Sequence, residues 1–366
     1  NMDYVDAHFY VDHPLFPGEP WSDTDWHFHN ETVSGREFPQ LTQLRAFRDP
    51  DRPFVVSEYN QPFPNTHGHD ILPVTAAFAA QEDWDGLFFF AYGGTAENQS
   101  VPAHFFLQGE WAKASVVGLA AHLFRTEAVP VRPSGYRLGS DQPAWLASAA
   151  TERRPDTWLR HLTHGGLLQP QPAASAHTGL QHFADERRVV IQTDGLAAVL
   201  GEVATNSRLT VGALSVELGG SGPRERVGVM LQSLDGLSLP QSRHMLLALP
   251  SPVTASSPKQ GPLQPYERVP YRGQSGKWTL EPTQPDGPQP SGSRTQVKGP
   301  AWIHKPMLRI GIASTHRDIQ VYPLTTDGKR LPQPSGAFAK VTAGGVELDV
   351  TSPHAPGALW YEVVLK

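Results

Sequence analysis

The chain contains no cysteine, so it has no disulfide bond, thiolate metal site or cysteine nucleophile. It also lacks an apolar run of about eighteen residues, and the sequence therefore predicts no membrane-spanning helix. Positive charge is scarce, since 30 Lys and Arg stand against 36 Asp and Glu for a formal net charge of -6. Without a basic surface, neither nucleic acid nor an anionic membrane is expected as the main partner.

Proline and glycine are abundant instead, with 35 Pro and 33 Gly among 366 residues. Because they follow no period, they indicate a loop-rich globular protein with some disordered stretches rather than a fibre. The length favours two or more domains. No signal peptide is recognisable at the start, where a strand pattern begins almost at once, so the chain is expected to begin inside a domain.

Three strand–helix pairs are predicted in the first third of the chain. Short apolar runs between turn residues predict strands, and apolar residues at helical spacing predict helices. The strands are expected at 4–10, 54–58 and 87–92, and the helices at 39–48, 71–82 and 110–125. Connections of this length suit parallel crossovers. Three such units match the last three of a (β/α)8 TIM barrel, which needs eight.

Beyond about residue 130 the pattern changes to short β-rich runs, which are typical of antiparallel β-sandwiches. The runs lie at 189–193, 196–200, 208–218, 226–231, 245–249, 307–312, 318–322 and 359–365. A stretch rich in Pro, Gly, Ser and Gln at 250–300 predicts a long surface excursion or mobile loop. The expected fold class is therefore α/β plus all-β. Its expected parts are the barrel units at 1–127 and one or two β-sandwich domains at 128–366.

The apolar run Phe54-Val55-Val56 is followed closely by a carboxylate, Glu58. A short run of this kind predicts a strand buried on both faces. The chemistry of parallel α/β barrels lies at the carboxyl ends of their strands, so Glu58 is predicted to be a catalytic carboxylate. The structural alternative is a Glu that caps the next turn or pairs with an Arg.

Three motifs support a family resemblance: His8-Phe9-Tyr10, the segment 55–60 (Val-Val-Ser-Glu-Tyr-Asn) and the segment 84–92. In this order they resemble the ends of the sixth, seventh and eighth strands of cellulase-like glycoside hydrolases. These enzymes belong to the large (β/α)8 clan with two catalytic Glu residues, whose eighth strand usually delivers an aromatic residue to the substrate. The β-rich remainder resembles accessory sandwich domains attached to such barrels.

The resemblance implies a retaining glycoside hydrolase that cleaves an oligo- or polysaccharide by double displacement, without a cofactor. Glu58 would be the nucleophile, with His8 and Tyr10 as the neighbours that orient it. The family's acid/base lies on the fourth strand, usually in an Asn-Glu pair, and is expected upstream of this chain. An upstream segment, another chain or a homo-oligomer would then complete the barrel. Asn30-Glu31 has the right residues, but it follows the first visible strand and is interpreted as a solvated loop pair.

Further side chains are candidates for contacts with the sugar because they follow the predicted strand ends or lie in adjoining loops. They are Asn60, Tyr92, Trp84, Asp12, His13 and Trp26, together with Trp21. Exposed rings would stack on sugar faces. The ordinary alternatives are core packing for the aromatic residues and turn formation for Asp12-His13-Pro14.

The pairs His27-x-His29 and His67-x-His69 suggest a metal, but no carboxylate pattern accompanies them, and no metal site is predicted. Carbohydrate is the expected ligand. The alternative function, from a different class, is a non-catalytic carbohydrate-binding or structural protein that keeps a barrel remnant. The expected localisation is bacterial, secreted or periplasmic.

Overall fold

The computed structural model describes residues 3–48, 51–93, 101–126, 128–131, 179–183, 187–220, 222–259, 261–284, 287–295, 297–332 and 338–365. The protein consists mostly of β-sheet, with several antiparallel sheets and a smaller helical part. The domain boundary predicted near residue 127 stays a prediction, because residues 132–178 lie outside the described residues. In the part of the chain that the structure describes, no helix is long and apolar enough to span a membrane.

The first part of the chain forms a parallel three-stranded sheet in the order β1-β2-β3. These strands are β1 (Val5–Tyr10), β2 (Phe54–Asn60) and β3 (Gly86–Phe89). The helices that follow them are α1 (Phe38–Gln43), α2 (Ile71–Gln81), α3 (Trp111–Ala114) and α4 (Val117–Arg125). The predicted elements are therefore present, although α1 continues as a 3-10 turn at Leu44–Phe47 and the third predicted helix is divided in two.

Sixteen further strands follow among the described residues. In chain order they are β4 (Gly179–Phe183), β5 (Arg188–Gln192), β6 (Leu196–Ala204), β7 (Arg208–Val211), β8 (Leu214–Leu218), β9 (Arg224–Ser233), β10 (His244–Ala248), β11 (Val253–Ser256), β12 (Arg268–Pro270), β13 (Trp278–Leu280), β14 (Lys298–Ile303), β15 (Leu308–Ala313), β16 (Ile319–Pro323), β17 (Ala339–Thr342), β18 (Gly345–Asp349) and β19 (Trp360–Leu365). They confirm the prediction of antiparallel β-structure in this region.

Two antiparallel sheets face each other across one hydrophobic core. The seven-stranded sheet has the order β16-β19-β10-β9-β6-β5-β4, and the five-stranded sheet has the order β17-β18-β15-β8-β7. Side chains such as Val199 and Leu231 on the first sheet and Val216 and Ile310 on the second are buried in the shared core. The arrangement is compatible with a β-sandwich.

The seven-stranded sheet is buried on both faces, because successive side chains of a strand point in opposite directions. Val190 lies in the core between the two antiparallel sheets, whereas Val189 and Ile191 lie in a second core with the helices. Helix α2 belongs to that second core, and all 11 of its residues are buried. A helix that is apolar on every side is expected to be enclosed in this way.

Residues 250–300, predicted to be a long surface excursion or mobile loop, contain paired strands where the structure describes them. Strand β11 pairs with β14, and β12 pairs with β13. The region also packs against the loop that follows β1, where Phe28 and Trp278 exchange backbone hydrogen bonds of 2.9 and 2.8 Å. A small apolar core stabilises the contact and contains Trp26, Phe28, Phe63, Ala255, Tyr266 and Leu280.

Several histidines in the described chain are held in environments that disfavour their charged form. Burial is the largest cause of the lowered pKa in each of them: His27, His67, His69, His104 and His182. For His104, burial and then the Arg294 guanidinium lower the pKa to about 4. Its Nε2 atom is buried without a hydrogen-bond partner. The folded protein therefore favours the neutral form of these imidazole rings.

We expect the free energy of unfolding to decrease between pH 7.5 and 5.5. In the unfolded chain a histidine takes up a proton near pH 6.5, whereas folded His104 stays neutral until about pH 4. The stability that neutral His104 provides is therefore fully present above about pH 7, and it is lost as the pH falls toward 4. At pH 5.5 the loss from His104 alone is about 1 kcal/mol. Urea unfolding at the two pH values measures it.

The matched variant is His104→Gln, which cannot take up a proton in either state. Its free energy of unfolding should change less between pH 7.5 and 5.5 than that of the wild type, by about 1 kcal/mol. An identical pH dependence in the two proteins would contradict the assignment of His104.

Candidate active site

Glu58 lies near the carboxyl end of β2, the central strand of the parallel sheet. A register shift between β1 and β2 pairs Ala7 with Val56 but His8 with Glu58, so Ser57 is an extra residue on β2. A bulge of this kind redirects the side chains that follow it. As a result Glu58 lies on the face of the sheet that points away from the helices, whereas Tyr59 points into the core.

Two predicted neighbours contact the Glu58 carboxylate, which is 30% exposed. The Tyr10 hydroxyl donates a short hydrogen bond to Oε1. On the other oxygen, the Nδ1 atom of His8 lies 3.6 Å from Oε2. Burial, followed by the hydrogen bond to Glu58, raises the pKa of Tyr10, so its hydroxyl stays protonated as a donor. The structure thus brings together the three predicted catalytic side chains.

Sequence reasoning missed two further members of this network, Asp6 and Ser57. The Ser57 hydroxyl donates to Asp6 Oδ2 at 2.7 Å and lies 3.0 Å from His8 Nε2. Partial burial opposes ionisation of Asp6, but the hydrogen bonds from Ser57, together with His8, hold the pKa of its carboxyl below the ordinary value. The signal was the alternation of Asp6, His8 and Tyr10, which places all three on one face of a strand.

Aromatic rings enclose the site on the side of the Tyr10 ring. We call this cluster the aromatic wall, and its members are Tyr10, His13, Phe16, Trp21, Phe90 and Phe105. The Phe105 ring lies at its centre, with centroid distances of 5.4 Å to Tyr10 and 5.5 Å to His13. His13 is thus beside the site, as predicted for a substrate contact. The sequence pattern gave no signal for Phe105, which comes from the loop before α3.

Asn60 was predicted to contact substrate, and this prediction was wrong. Its side chain is fully buried, and its amide nitrogen donates to the carbonyl oxygens of Phe90 and Phe105. Its amide oxygen accepts from the Gln61 backbone N–H at 2.6 Å. Because all of these bonds are internal, Asn60 ties the end of β2 to the end of β3 and to the loop that carries Phe105.

Asp12 is likewise a structural residue rather than a substrate contact. Its fully buried carboxylate accepts hydrogen bonds from the backbone N–H groups of His29 and Glu31 and from the Asn65 amide. Burial raises the pKa of Asp12, and these hydrogen bonds oppose the shift. The carboxylate therefore organises the loop after β1.

Trp26 and Trp84 were also wrong as sugar contacts, because both are core residues. Trp26 is 0% exposed, and its indole Nε1 donates to the Gly292 carbonyl at 2.9 Å. Trp84 is 5% exposed and packs edge-on against Phe54 and Phe78. By contrast, the Tyr92 ring is 76% exposed beyond the end of β3, where its role in substrate binding stays a prediction.

The remaining sequence candidates lie elsewhere. Glu31 pairs with Arg36 and Arg187, each at 3.4 Å. His27 stacks on Tyr271, and buried His69 lies 3.2 Å from Asp70. Among the residues that the structure describes, no three His, Asp or Glu side chains are arranged to hold a metal ion.

A search of protein-family models, of curated proteins and of solved structures finds no match to this chain. Arguments about function therefore depend on the geometry of the site and on its chemistry.

Proposed function

We propose that the protein is a retaining glycoside hydrolase that acts on an oligo- or polysaccharide, with Glu58 as the nucleophile. The observation that carries the proposal is the position of this carboxylate. It lies at the carboxyl end of the central strand of a parallel sheet, contacted by Tyr10 and His8 and flanked by the aromatic wall. A partly exposed carboxylate with a hydrogen-bond donor on one oxygen and a histidine ring close to the other is suited to attack a sugar.

We propose further that β1, β2 and β3 are the last three strands of a (β/α)8 barrel, followed by a β-sandwich region. Parallel sheets are normally covered on both faces. The face that carries Glu58 bears exposed Phe88 and Phe90 side chains, as the uncovered interior of a barrel would. In the described chain β1 pairs only with β2, so its open edge offers a place for the remaining strands, from an upstream segment or another chain.

The reaction follows the double-displacement scheme. A Glu58 oxygen bonds to the anomeric carbon while the bond to the leaving oxygen breaks, and that oxygen takes a proton from the acid. Water then cleaves the glycosyl ester and returns its proton to the same group, now a base. Tyr10 and His8 keep the carboxylate oriented throughout.

The proton donor in this scheme must be a second carboxyl about 5–5.5 Å from the nucleophile. Asp6 is connected to Glu58 through Ser57 and His8, but its lowered pKa favours the ionised carboxylate, which has no proton to donate. Glu31 is held by two arginines. We therefore propose that the acid/base comes from a part of the barrel outside this chain. We also propose that the protein is exported to the periplasm or the cell exterior, where polysaccharides occur.

The test uses 2,4-dinitrophenyl 2-deoxy-2-fluoroglycosides of glucose, galactose, mannose and xylose. Dinitrophenolate leaves without protonation, so the first step needs no acid/base. Mass spectrometry should detect one added fluoroglycosyl group, and peptide mapping should locate it on Glu58. Glu58→Gln should take up no label, whereas Glu217→Gln, a variant of a similarly exposed Glu in β8, should be labelled like the wild type.

The second candidate function is a non-catalytic carbohydrate-binding or structural protein. The lowered pKa of Asp6 favours it, because this neighbouring carboxyl is then ionised and cannot protonate a leaving group. Binding of oligosaccharides without any label on Glu58 would support this alternative and contradict the hydrolase.

A further inference from the structure

The loop that follows β1 presents Trp21, whose side chain is 58% exposed although it is large and apolar. Its ring contacts His13 at a centroid distance of 5.4 Å, and His13 contacts Tyr10 at 5.7 Å. The Tyr10 hydroxyl in turn donates to Glu58. Two ring contacts thus separate the indole from the ring beside the carboxylate, so the indole lies next to the candidate site.

The backbone at Trp21 has a φ of 60°, in the left-handed region that side-chain-bearing residues rarely adopt. Such a conformation persists only where the surroundings hold it. Here Arg294 does so, since its Nη2 donates to the Trp21 carbonyl at 2.8 Å and its Nε to the Ser22 carbonyl at 3.0 Å. The guanidinium also lies 4.8 Å from the centre of the Phe16 ring.

The neighbours of Arg294 hold the same loop. Ser293 Oγ and the Thr295 backbone N–H donate to the Asp23 carboxylate at 2.6 and 3.0 Å. Ser291 Oγ donates to the Trp26 carbonyl at 2.7 Å. The segment 291–295 belongs to the region that pairs β11 with β14. A part of the chain distant in sequence therefore fixes the position of Trp21 beside the candidate active site.

We propose that Trp21 is a stacking platform for a second sugar unit, next to the one held at Glu58, and that Arg294 is its positioning residue. This inference rests on the proposed function and narrows the substrate class to oligosaccharides of two or more units. The Arg294 guanidinium lies over the indole ring at 6.0 Å from its centroid, so the sugar C–H groups would stack on the opposite face while the nearby polar site fixes the orientation of the chain.

The experiment measures dissociation constants by titration calorimetry for β-linked gluco-, galacto-, manno- and xylo-oligosaccharides of two to six units. The proteins are the wild type, Trp21→Ala, Arg294→Lys and the double variant. Trp21→Ala should weaken binding of the preferred oligosaccharide roughly 10- to 30-fold, the loss typical of a central aromatic anchor. Arg294→Lys keeps the charge but loses the two-point contact, and it should weaken binding several-fold.

The double variant separates positioning from a general structural role. If Arg294 acts through Trp21, the double variant should bind no more weakly than Trp21→Ala alone, because coupled residues are not additive. Additive losses would overturn the role of Arg294. The control is Trp302→Ala in β14, whose indole donates to Ser256 Oγ at 2.9 Å and which should bind like the wild type.

Unchanged affinity in Trp21→Ala would overturn the platform, and so would a wild type that binds none of these oligosaccharides. The outcome for the hydrolase is separate, because it depends on labelling of Glu58 by single-sugar reagents. Binding that depends on Trp21 without any label on Glu58 would support the platform and reject the hydrolase. Labelling of Glu58, together with oligosaccharide binding that does not depend on Trp21, would support the hydrolase and reject the platform.

Discussion

Replacing Glu58 by Gln is expected to lower kcat on the order of 10⁴-fold or more, the scale found when one member of a catalytic unit is removed. The amide has the shape of the carboxylate but cannot form the glycosyl ester. Folding should be unaffected, because the side chain is partly exposed and the Tyr10 hydroxyl can still donate to the amide oxygen. Initial rates on 2,4-dinitrophenyl glycosides of the four sugars measure the loss in turnover.

The control is again Glu217→Gln. Glu217 is 34% exposed and pairs with Arg309 on the five-stranded sheet, so its neutralisation should leave kcat unchanged. Urea unfolding should give both variants the wild-type midpoint. Full activity in Glu58→Gln would contradict the nucleophile assignment, and loss of activity in both variants would point to a general effect of charge.

The sequence predicted the elements of the fold well wherever apolar residues recur at a clear period. Short apolar runs between turn residues predicted β5 and β6, and both faces of these strands are apolar because both are buried. The all-apolar pattern of α2 likewise reflects its position inside a core. These apolar patterns follow from the burial of the side chains, and they can be recognised in a single sequence.

The proximity of the three candidate side chains could also be predicted. His8 and Tyr10 lie on one face of the first strand, and Glu58 lies near the end of the next strand. What periodicity did not reveal is the bulge at Ser57, which sets the register of His8 against Glu58. A bulge adds one residue without leaving a turn signal, so Ser57 was not assigned to the site, whereas Asp6 was overlooked although it alternates with His8 and Tyr10. Detection of the bulge requires the pairing of two strands distant in sequence.

The wrong predictions for Trp26, Trp84 and Asn60 share one physical cause. A position just after a strand end predicts that a side chain lies near the carboxyl end of the sheet. It does not predict whether another segment of the chain covers that side chain. Trp26 is covered by residues 291–292, about 265 positions away in the chain. The same contact involves the few apolar side chains of residues 250–300, which help to bury Trp26 and Phe28.

Replacing Asp70 by Asn is expected to lower the free energy of unfolding by about 3–5 kcal/mol, the cost of removing one partner of a buried ion pair. Asp70 precedes α2 and is buried, with Oδ2 accepting from Thr32 Oγ1 at 2.7 Å and from Ser34 Oγ at 2.5 Å. The same oxygen lies 3.7 Å from Nη1 of Arg226 on β9. Burial lowers the pKa of Arg226, and the nearby Asp70 carboxylate opposes that shift. Urea unfolding measures the difference.

Asn retains an oxygen that accepts from Thr32 and Ser34, so the loss reports the charge facing Arg226. Removing both charges in Asp70→Asn/Arg226→Met should therefore cost less than Asp70→Asn alone, because no buried cation is left without its anion. The control is Asp83→Asn, which removes an exposed partner of Arg48 and should cost about 0–1 kcal/mol. A loss in Asp70→Asn no larger than in Asp83→Asn would mean that Glu202, which lies 3.6 Å from Nη2 of Arg226, or solvent compensates its charge in place of Asp70.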